Sequence, residues 1–257
     1  MTPITTRPAP PSTPAFSSTP APGTPADGGG PLDRVVSPLL HTQARPISAA
    51  ADQTVTLPPD LGALFPGGTA RRGTVVHITL AAPGTSGMTS LAMALLAAVS
   101  ATGGWGAIVG FPDTGVAAIA DAGVDLDRLV FVPEPGSRWA EVTAIALAGM
   151  AVVLTRPPAH VPPQIGRRLA AVARDQRSVL VVVGLQRWPE PPDVRLVVRS
   201  AAWIGLGDGH GHLSARRCTV AAGGRRAAAR QVETTLWLPG QGFRPVPDGE
   251  DGPARAR

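Results

Sequence analysis

The sequence predicts an α/β domain with a mostly parallel central sheet that ends in an antiparallel hairpin extension. Three observations predict it. Short, nearly continuous apolar runs alternate with helix-forming stretches between residues 74 and 184, the pattern of parallel strands covered on both faces. One of these runs is followed by a small-residue turn and a helix, HITLAAPGTSGMTSLAMALLAAV at 77–99. The last third loses its helices and carries three β-rich segments in a row.

The elements follow in order. TVVHITL at 74–80 is β-branched and reads as a strand, and residues 89–100 are strong helix formers. GAIVGF at 106–111 is a strand, 114–122 a short helix, and RLVFV at 128–132 a strand, with Asp125 and Asp127 capping the turn before it. Residues 137–149 form a helix with Ser137 as its cap and Glu141 in the first turns. MAVVLT at 150–155 is a strand. Residues 162–176 form a helix that Pro162 and Pro163 suit at its start. SVLVVVG at 178–184 is a strand and GLQRWPEPPD at 184–193 a short loop. AAWIGL, LSARRCTV and RQVETTLWL form the hairpin extension, with GDGHGH and AAGGRR as its turns.

The domain is placed at residues 55–240. Residues 1–50 are rich in Pro, Ala, Ser and Thr and bury too little apolar surface to offset their ordering entropy. They read as a disordered tail, in which 32–41 could form a brief helix, and 241–257 reads as a second one.

Composition narrows the chemistry. The chain has 257 residues, a net charge of +5, one cysteine and no tyrosine, and all 23 basic side chains are arginine. No lysine exists to serve a phosphate or form a Schiff base. The surplus of arginine lies in residues 55–240, which suggests an acidic partner or nucleic acid. A lone Cys218 excludes a disulfide framework and suits a small buried apolar role in a reducing cytoplasm. The uncharged stretch 78–112 is interrupted too often by Gly, Pro, Ser and Thr to span a membrane. Asp208, His210 and His212 lie in a turn-like segment, so no metal site is expected there.

The segment 82–89 has the rhythm of a phosphate loop, G-x-x-x-x-G-K-[ST]. Gly87 and Thr89 fit, but Ala82 replaces the first glycine and Met88 the lysine. Backbone N–H groups and the helix N-terminus could still receive a phosphate, and Thr89 could ligate Mg²⁺. The remnant loop comprises Gly84, Ser86, Gly87, Met88, Thr89 and Ser90. At most weak ATP–Mg²⁺ binding is expected there, so no cofactor is assigned.

The order of these motifs resembles the ATPase core of the RecA family. Residues 61–95 are similar to that family's opening: a short helix, a Gly-Gly turn, a basic-Gly step, a strand and the phosphate loop. AGVDLDRLVFVPEPGSRWAEVTAIAL at 122–147 resembles its Gly-Val-Asp-x-Asp-x-Leu strand and the following helix. The resemblance covers about 180 residues of the sequence and implies a RecA-like P-loop fold. It also shows departures. Met88 cannot carry the lysine's charge, the strand that should end in a metal-organising Asp ends in Thr155, and PDTG with Asp113 stands where a catalytic Glu is expected.

A degraded RecA-like core in an arginine-rich chain is similar to actinobacterial ImuA-type proteins. That resemblance implies a non-catalytic, cytoplasmic accessory factor of DNA repair, the SOS response and error-prone translesion synthesis. Its implied partners are an inactive Y-family-like polymerase homologue and an error-prone replicative-type DNA polymerase. The candidate DNA or partner contacts are Arg167, Arg168 and Arg174 on one helix, Arg216 and Arg217 on a strand, and Arg225, Arg226 and Arg230 at a hairpin turn. An ATPase with an atypical loop and a stand-alone DNA-binding protein are the alternatives.

Overall fold

A computed structural model of the chain describes residues 54–206, 211–225, 228 and 230–238. Strand β1 (Thr54–Thr56), helix α1 (Pro59–Gly62) and strand β2 (Thr69–Arg71) precede the main sheet. β1 and β2 pair antiparallel in a small sheet of their own. The turn before β2 needs left-handed backbone at Gly67 and Gly68, with φ of 67° and 74°.

The main sheet has eight strands in the order β10-β9-β8-β3-β7-β6-β4-β5. Its members are β3 (Val75–Leu80), β4 (Gly106–Val109), β5 (Leu129–Val132), β6 (Val152–Thr155), β7 (Val179–Val183), β8 (Val194–Leu206), β9 (Gly211–Gly224) and β10 (Val232–Leu238). Strands β8 to β5 in that order are mutually parallel, and β9 and β10 join antiparallel. The predicted α/β class with a mostly parallel sheet and antiparallel hairpins is what the chain adopts.

Connecting helices cover both faces. Helix α2 (Met88–Ser100) lies on one face with α1, over Ile78, Ile108, Leu154, Val181, Leu196 and Val220. Helices α4 (Trp139–Gly149) and α5 (Pro163–Asp175) lie on the other, over Val75, Val109, Val153, Leu180 and Val182. The short helix α3 (Val116–Asp121) seats Ile119 in the first of these cores. Adjacent strand residues thus enter different cores, which is why the central runs contain no polar alternation.

Several local expectations need correction. Ser137 does not cap α4. Residues 136–138 form a 3-10 turn instead, and Arg138 closes on Glu141 at 2.7 Å. β8 begins at Val194, not at residue 201, because Val194, Leu196 and Val198 are buried while Arg195 and Arg199 point out. It is also parallel to β3 as well as antiparallel to β9, so it belongs to both parts of the sheet. Residues 221–224 of AAGGRR are strand, not turn: Ala222 pairs with Leu196 and Val232. Asp125 does cap its turn, accepting from the Asp127 N–H at 3.0 Å. The two tails, the segment 32–41, Asp208, His210, the side chain of His212 and Arg226 lie outside the described residues.

Candidate functional site at the carboxyl edge of the sheet

In an open parallel sheet, ligands bind at the carboxyl ends of the strands, where neighbouring connections diverge. Here β3 is flanked by β7 and β8, while the chain leaving it crosses to β4. The connection is the glycine-containing loop 81–87 followed by α2. Gly84 is left-handed at φ 83°, exposed, with open space beside it. Gly87 is left-handed at φ 113° and serves as the N-cap of α2. A Cβ on Gly87 would stand 3.0 Å from Cys218 Sγ and 3.4 Å from Arg216 Nη1, so glycine is required on two counts. No side chain caps α2, which leaves its first N–H groups facing the loop.

Ser86 is exposed, and Thr89 and Ser90 are half-buried. Met88 packs against the apolar core beneath the loop. Its thioether is part of the packing and offers no charge.

Thr155 is fully buried at the end of β6. Its Oγ1 accepts from the Trp139 indole Nε1–H at 2.7 Å and lies 3.4 Å from Thr143 Oγ1. The Thr143 hydroxyl donates in turn to the Trp139 carbonyl at 2.8 Å. Trp139 also meets Trp188 edge to face, with centroids 6.5 Å apart. This hydroxyl therefore serves the α4 face of the sheet, not the loop.

The next residue, Arg156, does face the loop. Its Nη2 lies 3.4 Å from Thr89 Oγ1, its Nη1 lies 3.5 Å from Asp113 Oδ2, and its guanidinium covers the Phe111 ring at 4.5 Å. Asp113 is 86% exposed, so that ion pair is weak. Gly110, left-handed at φ 82°, lets this chain pass within 2.6 Å (from an added Cβ) of the Arg156 carbonyl. Arg216 reaches the loop from β9. It stacks over the exposed Trp203 ring at 3.9 Å, and its Nε is buried with no partner. Burial lowers its pKa, with the Cys218 thiol acting the other way. Burial also pushes the Cys218 thiol up to about 11, against the pull of Arg216.

The predicted arginines do not form one patch. Arg216 and Arg217 are neighbours on a strand, so they point to opposite faces of the sheet. Arg167 and Arg174 are exposed on α5, and Arg168 beside them is half-buried. Arg225 pairs with Asp193 at 3.2 Å near the β9–β10 turn, where Arg230 is exposed. Arg216 lies near the middle of β9, whereas Arg225 follows its last residue. Sequence reasoning missed Arg156, Phe111 and Trp203. The available signal for Arg156 was its place directly after an apolar strand.

A nucleotide–Mg²⁺ complex would need oxygen ligands at this edge. Thr89 Oγ1 and Asp113 Oδ2 are the groups in place, and the Arg156 guanidinium already contacts both. A second cation beside it would be repelled. The residues present do not fit a divalent metal. Among the described residues, no three His, Cys, Asp or Glu side chains converge on a metal position, and no helix is long and apolar enough to cross a membrane.

These features define a class: an α/β domain whose mostly parallel sheet presents a strand–glycine loop–helix unit at its carboxyl edge, with Arg156 and Arg216 beside it. Residues 63–190 match the MT3502 N-terminal domain family. The chain is also similar to the uncharacterized protein Rv3395c of Mycobacterium tuberculosis, 41% identical over 105 residues. That alignment covers 39% of this chain and 52% of the relative, so the chain spans about half the length of the relative it matches. The family match includes Thr89, Asp113 and Arg156 but stops before β8, so Arg216 lies beyond it.

Proposed function

We propose that this chain is a non-catalytic, RecA-like accessory protein of DNA repair and SOS mutagenesis, acting in the cytoplasm through protein–protein contacts. The observation that carries the reading is the fate of the three positions where a RecA-like ATPase needs charge. Met88 is packed against the core, Thr155 is hydrogen-bonded to an indole, and Asp113 of the PDTG turn is exposed and paired with Arg156. A fold that keeps its loop, fills two of these positions with packing groups and pairs the third with a guanidinium retains a shape for binding without the charges that ATP hydrolysis needs. The resemblance to ImuA-type proteins supplies the proposed partners, a Y-family-like polymerase homologue and an error-prone replicative-type polymerase.

Two measurements test this. Phosphate release from ATP, with and without single-stranded DNA, should not exceed a buffer control. The tagged chain, recovered from cells after DNA damage, should bring down the polymerase homologue. DNA-stimulated hydrolysis by the pure protein would overturn the reading.

A further inference from the structure

The helix layer on one face of the main sheet stops short of its antiparallel end. The core under α4 and α5 takes residues from β3, β4, β6 and β7, and none from β8, β9 or β10. Those three strands send Leu196, Val220 and Leu236 into the core on the opposite side, beneath α1 and α2. Their alternate residues therefore point to a surface that no described helix covers. Arg195 and Val197 lie there on β8, Arg217 on β9, and Glu233 and Trp237 on β10. Small side chains such as Ala221 and Thr235 make a low floor between them. Arg217 stands directly opposite Trp237 in the ladder. Val197 and Trp237 are half-buried, and among the described residues no ring or guanidinium stacks on this indole. Arg199 pairs with Glu233 at 3.0 Å, and both side chains are half-exposed. Among the described residues no carboxylate comes within ion-pair distance of Arg195 or Arg217. Opposite charges on neighbouring strands stabilise a sheet by pairing, yet three guanidinium groups here share one carboxylate. The adjoining helix α5 adds the exposed Arg167 and Arg174.

We propose that this face docks an acidic amphipathic helix of a partner protein, which continues the layer formed by α4 and α5. The apolar stripe of such a helix covers Val197 and Trp237, and carboxylates flanking the stripe pair with Arg195 and Arg217. The cations give the face its preference for an acidic ligand. The pattern between them favours protein over nucleic acid. Glu233 sits in the ladder row between those of Arg217 and Arg195, so a uniformly anionic backbone would meet repulsion at the centre of the face. Among the described residues Trp237 is the one aromatic side chain on this surface, so no series of rings continues a base stack. A helix instead offers charge and apolar cover at separate positions. The choice of a protein partner rests on the contact role proposed above, and the two fail separately: ATP hydrolysis and recovery of the polymerase homologue bear on that role, and peptide binding bears on this face.

The test titrates the full chain into a fluorescein-labelled helical peptide of about four turns, with Leu along one stripe and Glu on both flanks. Anisotropy should show saturable binding that weakens with salt, and the same peptide with Lys in place of Glu should not bind. Arg195→Glu and Arg217→Glu should each weaken binding about tenfold or more. Glu233→Gln should strengthen it, because Arg199 is released for the ligand. With unlabelled peptide, binding should change the intrinsic tryptophan emission, and Trp237→Phe should remove that change, which places the peptide on this face. Should a charge reversal unfold the chain, Arg195→Gln at an exposed strand position takes its place, with a smaller loss of affinity. Tighter binding of oligo(dT) than of the acidic peptide would overturn the proposal in favour of nucleic acid. Equal binding of the Lys peptide, no binding at millimolar peptide, or folded variants that bind like the parent would overturn it outright.

Discussion

The Trp139 indole Nε1–H donates to Thr155 Oγ1 across 2.7 Å, and both groups are buried. A threonine at the end of β6 is thus a structural acceptor for α4. Thr155→Val keeps the shape and removes the acceptor, leaving a buried N–H unsatisfied. The expected loss is about 1–3 kcal/mol by urea denaturation. Thr155→Asp places a carboxylate at a fully buried position. It should cost more than Val and should not produce ATP hydrolysis.

Met88→Lys tests whether the missing charge can be restored by one change. The side chain packs against the apolar core under the loop, so lysine must leave that packing to reach solvent. The expected result is a stability loss of about 1 kcal/mol and phosphate release indistinguishable from the parent.

Gly110→Ala should act on Arg156 through the backbone. Gly110 has φ 82°, and a Cβ there would stand 2.6 Å from the Arg156 carbonyl oxygen. Left-handed strain and the contact together should cost about 2 kcal/mol or more. Thermal unfolding reads the loss. An unchanged Tm would show that the β6 end moves freely.

His77 makes stability depend on pH. It is buried on β3, its Nε2 lies 3.2 Å from the Gly184 carbonyl, and its Nδ1 has no partner. Burial first, and the nearby Arg195 second, lower its pKa from 6.5, while the Gly184 contact opposes them. Below pH 6.5 the unfolded chain takes up a proton that the folded one refuses. Stability from this group is therefore full above that pH and falls as pH drops toward the lowered folded value. His77→Gln, which keeps a donor for Gly184, should flatten the Tm profile between about pH 6.5 and pH 5.

Cys218 should be unreactive in the native state. Its thiol is buried with a pKa raised to about 11, so little thiolate exists near neutrality. A thiol-specific reagent at about pH 8 should modify it at the rate of local opening, much more slowly than in urea. Rapid native-state labelling would contradict the packing around Gly87.

The parallel part of the sheet was legible because strands buried on both faces are written as continuous apolar runs such as SVLVVVG. VRLVVRS was not legible because its arginines interrupt that signature, although one face is fully apolar. The strand, glycine loop and helix over 75–100 were legible from local spacing. Arg156 was not, since its contact with Thr89 spans 67 positions and follows from strand order alone. Arg216 and Arg217 look like a pair in the sequence, but the pleat sends them to different faces of the sheet.

The irregularity in β8 between Val198 and Ser200 divides one strand into two halves with different neighbours. Up to Val198 the strand is held by β3 on one side and β9 on the other; Leu80 is the last β3 residue paired with it. Beyond that point the described ladder continues with β9 alone, and this half carries Trp203 and, opposite it, Arg216. Amide hydrogens should exchange slowly at 194–198 and faster at 200–206. The stacked guanidinium thus belongs to a two-stranded extension held by its own hairpin, while Arg156 follows a strand paired on both sides.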